Sequence, residues 1–330
     1  MSDLLYGRNA VREALRGGRK IMRLLVAEAA PPTAAAHRPG ERFAAVPRGG
    51  KPASGGRGPT GKPGGKGTPG RADAHAADRT RNMPAESRAA RRTVAMAGRA
   101  PLEEIVALAT GKGVPIERVA GQRLDELTNG ANHQGVAAVA AEYHYISWPN
   151  LLDRIRSAGP QAVVLLLDSL QDPQNFGTLL RTAEAVGITG VVMPEHRSVG
   201  VTPAVCNASS GAVEHLRIAR VANLTRVVEE LKDENVWVYA LAGDEPGALP
   251  YTKADLRGAL ALVVGSEGHG VGTLIRKHCD GALALPMHGQ IESLNAAVAG
   301  SIMLYEALRQ RSAQQGTAAV APAPAVQPET

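Results

Sequence analysis

A chain of 330 residues, 44% of them apolar, sets an expectation of about two domains at ~150 residues each and excludes a fibrous or wholly disordered protein. Two cysteines, Cys206 and Cys279, allow one bridge at most, which excludes a disulfide-built secreted scaffold and makes a reducing, cytoplasmic compartment the expectation. The opening MSDLLYGRNAVREAL lacks an apolar signal core, and runs such as 162–167 fall far short of the ~20 residues of a membrane helix, so neither secretion nor membrane insertion is expected.

The formal charge of +6 is unevenly placed. Residues 31–100 hold fourteen Lys/Arg against four Asp/Glu, a net of +10, which leaves −4 for the other 260 residues. The same segment has nine prolines, twelve glycines and Phe43 as its one aromatic, too little apolar surface to offset its ordering entropy. Residues 31–98 therefore read as a disordered basic Gly/Pro-rich insert, either a solvated tether or an arm that tracks phosphates.

In chain order, NAVREALRGG reads as a helix ending at Gly17-Gly18, followed by a strand over Ile21–Ala27. After the insert come a helix at 101–109, a strand at 114–119, a helix in RLDELTN and a strand at 135–141. Joined across the insert, 1–30 and 99–145 make one small α/β domain. A helix at 151–156 leads into a second unit, 146–311. It has strands at 162–167, 188–193, 216–221, 236–241, 260–264 and 282–285, and helices at 176–186, 224–232 and 295–309. Continuous apolar strands among amphipathic helices indicate an α/β fold with a mostly parallel sheet, whose ligands belong at the strand C-termini. Residues 312–330 read as a disordered tail.

Three strand-end loops carry more polar residues and glycines than a connection needs. In DSLQDPQNFGTLLRTAEAVG, Asn175 is placed to cap the following helix, Gly177 permits close backbone approach, and Arg181 lies under two turns along, so both polar side chains are expected near the helix opening. The alternative is a plain cap and a surface arginine. In VVGSEGHGVG, glycines at 265, 268, 270 and 272 suit a loop that wraps a ligand with backbone N–H groups. It matches neither the GxxxxGK[ST] nor the GxGxxG pattern, and Ser266 is not in a GxSxG elbow. In LPMHGQIESLNAAVAG, Ser293 or Asn295 caps the final helix, whose small residues allow close packing.

Elsewhere the residues say less. His133 either touches RNA or satisfies a strand-end group, and His269, His278 and Cys279 lack metal-ligand spacing, so no metal is expected. Ten aromatics in the whole chain give little basis for a base-stacking platform.

NFGTLLRTAEAVG, VVGSEGHGV and LPMHGQIESLNAAVA, in this order, resemble the three motifs of the SpoU (TrmH-type) RNA 2′-O-ribose methyltransferases of the SPOUT class. YGRNAVREAL, ANHQGVAA and KHCDGALALPM resemble the ribosomal RNA branch, the 23S rRNA guanosine-2′-O-methyltransferases. The likeness covers about 5–28 and 101–311 and leaves the insert unexplained. It implies a ribosomal-protein-like RNA-binding domain before a catalytic domain with a C-terminal trefoil knot, S-adenosyl-L-methionine as cofactor, and a homodimer with its active site near the subunit interface. It further implies attack by a ribose 2′-hydroxyl on the sulfonium methyl group.

By motif position, Gly265, Gly268, Leu285, Met287 and Leu294 line the cofactor pocket, and Arg181, Asn175, Glu267, Ser293 and Asn295 are the catalytic positions. An arginine is too weak an acid to serve readily as a base, so Arg181 is expected to orient the sugar or phosphate and stabilise alkoxide charge, with Glu267 fixing its pose. Where relatives often read SLNVSVA this chain reads SLNAAVA, losing a hydroxyl at Ala297 while keeping Ser293 and Asn295. The alternatives are the same chemistry on transfer RNA, or a non-catalytic RNA-binding ribosome-assembly factor.

Overall fold

The first sheet draws its strands from both sides of the insert. In a computed structural model that describes residues 2–28, 101–243, 247–266, 268–291 and 293–319, the chain opens with β1 (Ser2–Tyr6), α1 (Arg8–Arg16) and β2 (Ile21–Ala27). It resumes with α2 (Leu102–Gly111), β3 (Ile116–Val119), α3 (Gly121–Leu127) and β4 (Val136–Ala141). The strand order is β1-β4-β2-β3, with β4 antiparallel to both neighbours and β3 parallel to β2. A parallel pair needs a long crossover, and the insert together with α2 occupies that connection. The expected strand at 114–119 starts later, at Ile116, because Pro115 has no N–H for a ladder; its carbonyl accepts from Leu24 N. Residues 31–98 and 320–330 lie outside the described residues.

The second unit contains α4 (Trp148–Ala158), β5 (Val163–Leu167), α5 (Pro173–Ala185), β6 (Gly190–Pro194), α6 (Pro203–Ala208), β7 (Ile218–Val221) and α7 (Leu224–Asp233). Then come β8 (Trp237–Ala242), β9 (Leu249–Pro250), β10 (Leu260–Val264), α8 (Thr273–His278), β11 (Gly281–Ala284) and α9 (Ala296–Ala319). Its strands are all parallel, in the order β7-β6-β5-β10-β8-β11-β9. Period-two alternation sends Leu165, Leu167, Leu262 and Val264 to one face, under Leu179 and Leu180 of α5 and Met303 and Leu304 of α9. Val164, Leu166, Ala261 and Val263 face the other way, under Leu151 and Ile155 of α4 and Val228 and Leu231 of α7.

The tail expected from residue 312 begins later, since α9 continues through Ala319; Ala and Gln in this stretch favour helix. Between the sheets, Arg19 is almost fully buried and donates to Glu214 Oε1 (2.9 Å), to the Ala141 carbonyl (2.7 Å) and to Asp3. Burial pushes the adjacent Cys206 thiol up to about 12, so this thiol stays protonated at neutral pH.

Candidate active site

Strand register brings four loop starts to one sheet edge. Leu167 pairs with Val264, Ala240 with Val263, and Ala284 with Ala242, so the chain leaves β5, β10, β8 and β11 side by side, at Asp168, Gly265, Gly243 and Leu285. The loop after β10 folds back on itself through Ser266 N to Gly270 O (3.1 Å) and Gly270 N to Ser266 O (2.9 Å). A side chain at position 265 would overlap the Gly270 carbonyl, so only glycine closes this turn. Asp168 pins the loop from the neighbouring strand: its backbone N–H donates to Val264 O (2.8 Å), and its Oδ2 accepts from Gly272 N (2.7 Å).

The pinned loop separates two cavities. One, of about 1050 Å³, is lined by Asp168, Asp172, Asn175 and Gly268 among others. The second, of about 550 Å³, is lined by Leu241, Ala242, Gly243, Val271, Arg276 and Lys277. His269, Gly270 and Thr273 belong to both walls.

Asn175 does not cap α5. Pro173 fits the first helical position, so the helix starts three residues before the expected 176 and Asp172 is the cap, accepting from Gln174 N (3.3 Å) and Asn175 N (3.0 Å). Asn175 Oδ1 instead accepts from Asn295 Nδ2 at 2.9 Å. Asn295 Oδ1 in turn accepts from Ala297 N (3.0 Å) and Val298 N (3.2 Å), which makes Asn295, of the two candidates, the residue that caps α9. The first and third loops thus touch through one amide pair at the rim of the larger cavity.

Arg181 lies apart from that pair. Six residues along α5, at a rise of ~1.5 Å each, its exposed side chain donates Nη1–H to Ser210 Oγ at 3.2 Å and lines neither cavity. Arg181 and Asn175 are therefore not gathered at the helix opening as their spacing suggested. Ser293 is exposed, Leu285, Met287 and Leu294 are half-buried, Ala297 is buried, and Glu267 lies outside the described residues. Asp168 is not among the residues expected from the sequence, although an acid directly after the buried run VVLLL is the kind of signal that marks a strand-end site. His133 is bonded within its own loop: Nδ1 accepts from Gly135 N and Nε2 faces Asp125 Oδ1, each at 3.0 Å. Among the described residues no cluster of His, Cys, Asp and Glu is arranged to hold a metal ion, and no helix is long and apolar enough to cross a membrane.

Residues 162–305 match the model of the SpoU rRNA Methylase family, and residues 88–146 match a model described as RNA 2′-O ribose methyltransferase substrate binding. The 23S rRNA (guanosine-2′-O-)-methyltransferase RlmB of Xylella fastidiosa is 44% identical over 201 residues, 61% of this chain and 80% of that protein. The chain belongs to the SpoU rRNA methylase family.

This methylase is also 43% identical over 209 residues to the Synechocystis protein named "Uncharacterized tRNA/rRNA methyltransferase slr0955", matching 63% of the present chain but only 54% of that longer relative. Among solved structures, the AdoMet-bound rRNA methyltransferase of Sinorhizobium meliloti gives a TM-score of 0.59 at 21% identity, covering 93% of this chain and 87% of that one. The SpoU methyltransferase AviRb of Streptomyces viridochromogenes gives 0.59 at 20%, covering 95% and 91%. These likenesses establish the SPOUT-type α/β fold, of which a C-terminal trefoil knot is characteristic.

Proposed function

We propose that this methylase transfers a methyl group from S-adenosyl-L-methionine to the 2′-hydroxyl of a guanosine in 23S ribosomal RNA. The observation that carries the reading is the Asn175–Asn295 bond, which closes the first and third loops over a cavity whose other wall is the glycine loop. The substrate follows the Xylella fastidiosa relative; the Synechocystis relative's name keeps transfer RNA as the alternative.

The smaller cavity suits the cofactor in size and chemistry. About 550 Å³ is within the range of small-molecule sites, the peptide groups of Leu241–Gly243 offer donors and acceptors to a purine edge, and Lys277 offers a cation to a carboxylate. Gly265, Leu285, Met287 and Leu294 would complete this pocket from the strand ends around it, and Gly268 faces the RNA side. Bound S-adenosylmethionine supplies an electrophilic methyl group on sulfur.

The chain's own task is to orient a poorly nucleophilic hydroxyl and stabilise the charge it develops. The role of Arg181 is to hold a phosphate or sugar oxygen with its guanidinium and to stabilise the alkoxide. Asn175, Asn295 and Ser293 position ribose and cofactor groups. The methylase acts in the cytoplasm as a homodimer: Val298, Ile302 and Tyr305 of α9, spaced i, i+4 and i+7, present one exposed apolar stripe to a second copy.

Arg181→Ala tests the assignment. Single-turnover methylation of a 23S rRNA transcript should fall at least ~100-fold, as on loss of an oxyanion-stabilising donor, with melting temperature and cofactor affinity unchanged. Near-wild-type turnover would remove Arg181 from the site.

A further inference from the structure

Two sequence features remain unused by the reaction: the YGRN turn that opens α1 and the ANHQG loop before β4. The structure brings them together. Arg8 Nε donates to the Gln134 carbonyl at 3.0 Å, and Arg8 N approaches Gln134 Oε1 at 3.5 Å, across 126 residues of sequence. Gln134 holds a left-handed backbone with φ 56°, and the ring of His133 ties the same loop to Gly135 N and Asp125. A non-glycine residue kept in that conformation costs energy that the surrounding bonds must offset, a condition that concentrates at working surfaces.

A series of hydrogen bonds links the strand end before this pair to Arg181. Asn207 Nδ2 donates to the Tyr6 carbonyl (3.0 Å) beside Arg8, and Ser210 N donates to the Asn207 carbonyl (2.9 Å). Ser210, itself at φ 54°, receives the Arg181 bond. The turn that ends α6 is therefore bonded to the end of β1, two residues before Arg8, and to Arg181.

Neither Arg8 nor Arg181 is neutralised by a carboxylate among the described residues, a condition they share with Arg220 and the buried Arg311, which donate only to carbonyls. Arg12, Arg16, Arg19, Arg23, Arg123, Arg156, Arg226, Arg257 and Arg309 each face a carboxylate within 4.0 Å. Arg8 and Arg181 have none among the described residues; each is held by a neutral oxygen that fixes its direction and leaves its charge uncompensated. A guanidinium aimed by a neutral oxygen and spared a carboxylate is suited to a phosphodiester, which takes its planar fork of donors.

We infer that Arg8, oriented by Gln134, and Arg181, oriented by Ser210, form one phosphate-reading ridge that carries the RNA backbone from the first sheet into the active site. The inference rests on the RNA-substrate reading above. Arg8 is a positioning residue: it sets where the strand enters and leaves the methyl transfer itself to the catalytic loops.

The test uses the full chain and a 23S rRNA transcript, with binding measured across a salt series beside methylation kinetics. Each phosphate contact contributes about 0.7–0.9 to the slope of log K against log salt. Arg8→Gln should lower that slope by nearly one contact and raise the KM for RNA about tenfold, with kcat and S-adenosylmethionine affinity unchanged. Arg8→Lys restores the slope because it restores the charge. Arg16→Gln, on the same helix but paired with Glu104, leaves slope and KM at wild-type values. A wild-type slope and KM in Arg8→Gln, in a variant that melts like the parent, would overturn the ridge. Equal loss in Arg8→Gln and Arg8→Lys would also overturn it, as a packing effect. If the wild-type chain binds the transcript without methylating it, the substrate reading fails while the slopes still decide for or against Arg8. Absence of any binding overturns both.

Discussion

Asp168 is the side chain on which the two cavities depend. Its carboxylate accepts from Gly272 N at 2.7 Å and its backbone is laddered to β10, so one residue holds the glycine loop at the height where it walls both spaces. A bond from a backbone N–H to a carboxylate is worth ~1.5–3 kcal/mol, and half-burial of Asp168 places it toward the lower figure. Asp168→Ala should therefore weaken S-adenosylmethionine binding about tenfold by isothermal titration, at little change in melting temperature; an unchanged affinity would mean the loop holds its own shape. At this scale the sequence was a partial guide. Asn295 was legible as a cap because its place before an apolar helical run has a local physical meaning. Asn175 was misplaced as a cap because Asp172-Pro173 offered a better start three residues earlier, and its partner lies 120 residues away. Asp168 was missed because its partner is a backbone amide across a loop, which no spacing rule encodes.

Among the elements, the long ones were readable and the short ones were not. The buried parallel strands and the amphipathic helices α5 and α7 announce themselves by period, whereas α6, at six residues, has too few turns for any periodicity to show. Yet α6 is the bridge between the RNA-facing turn and Arg181. It sits where it does because Gly177 of α5 lets it come close: a Cβ there would meet the side chain of Ala208 and lie 2.8 Å from Ser209 N. Gly177→Ala should cost about 1–3 kcal/mol by forcing α6 outward, read as a lowered urea midpoint, and should reduce methylation by moving Ser210 away from Arg181. A wild-type midpoint would show that α6 has room to spare. β1 was also unread, since its five residues acquire a strand partner only through β4, more than 130 positions later.

At the scale of the whole molecule, charge and topology divide the work. The folded parts are mildly acidic in sum, and the basic excess belongs to residues 31–100, beyond the described structure. What the described residues add is a first sheet built from both sides of that insert and secured to the second by Arg19, Tyr143 and Glu13. Their hydrogen bonds reach Glu214, the Leu216 carbonyl and His215 respectively. Such a join was invisible in the sequence, because a buried arginine reads the same as a surface one until its partners are placed. The parallel sheet was open to inference from strand alternation; a knot breaks the ordinary rules of connection, so the expectation of one comes only from the likeness of three motifs. The central claim is that loops after β5, β10 and β11 hold a methyl donor beside an RNA sugar. Its most direct test incubates the full chain with a 23S rRNA transcript and methyl-labelled S-adenosylmethionine, digests the RNA to nucleosides and identifies the labelled product. The account predicts label in 2′-O-methylguanosine; label on a base, or none incorporated into RNA that the chain binds, would contradict it.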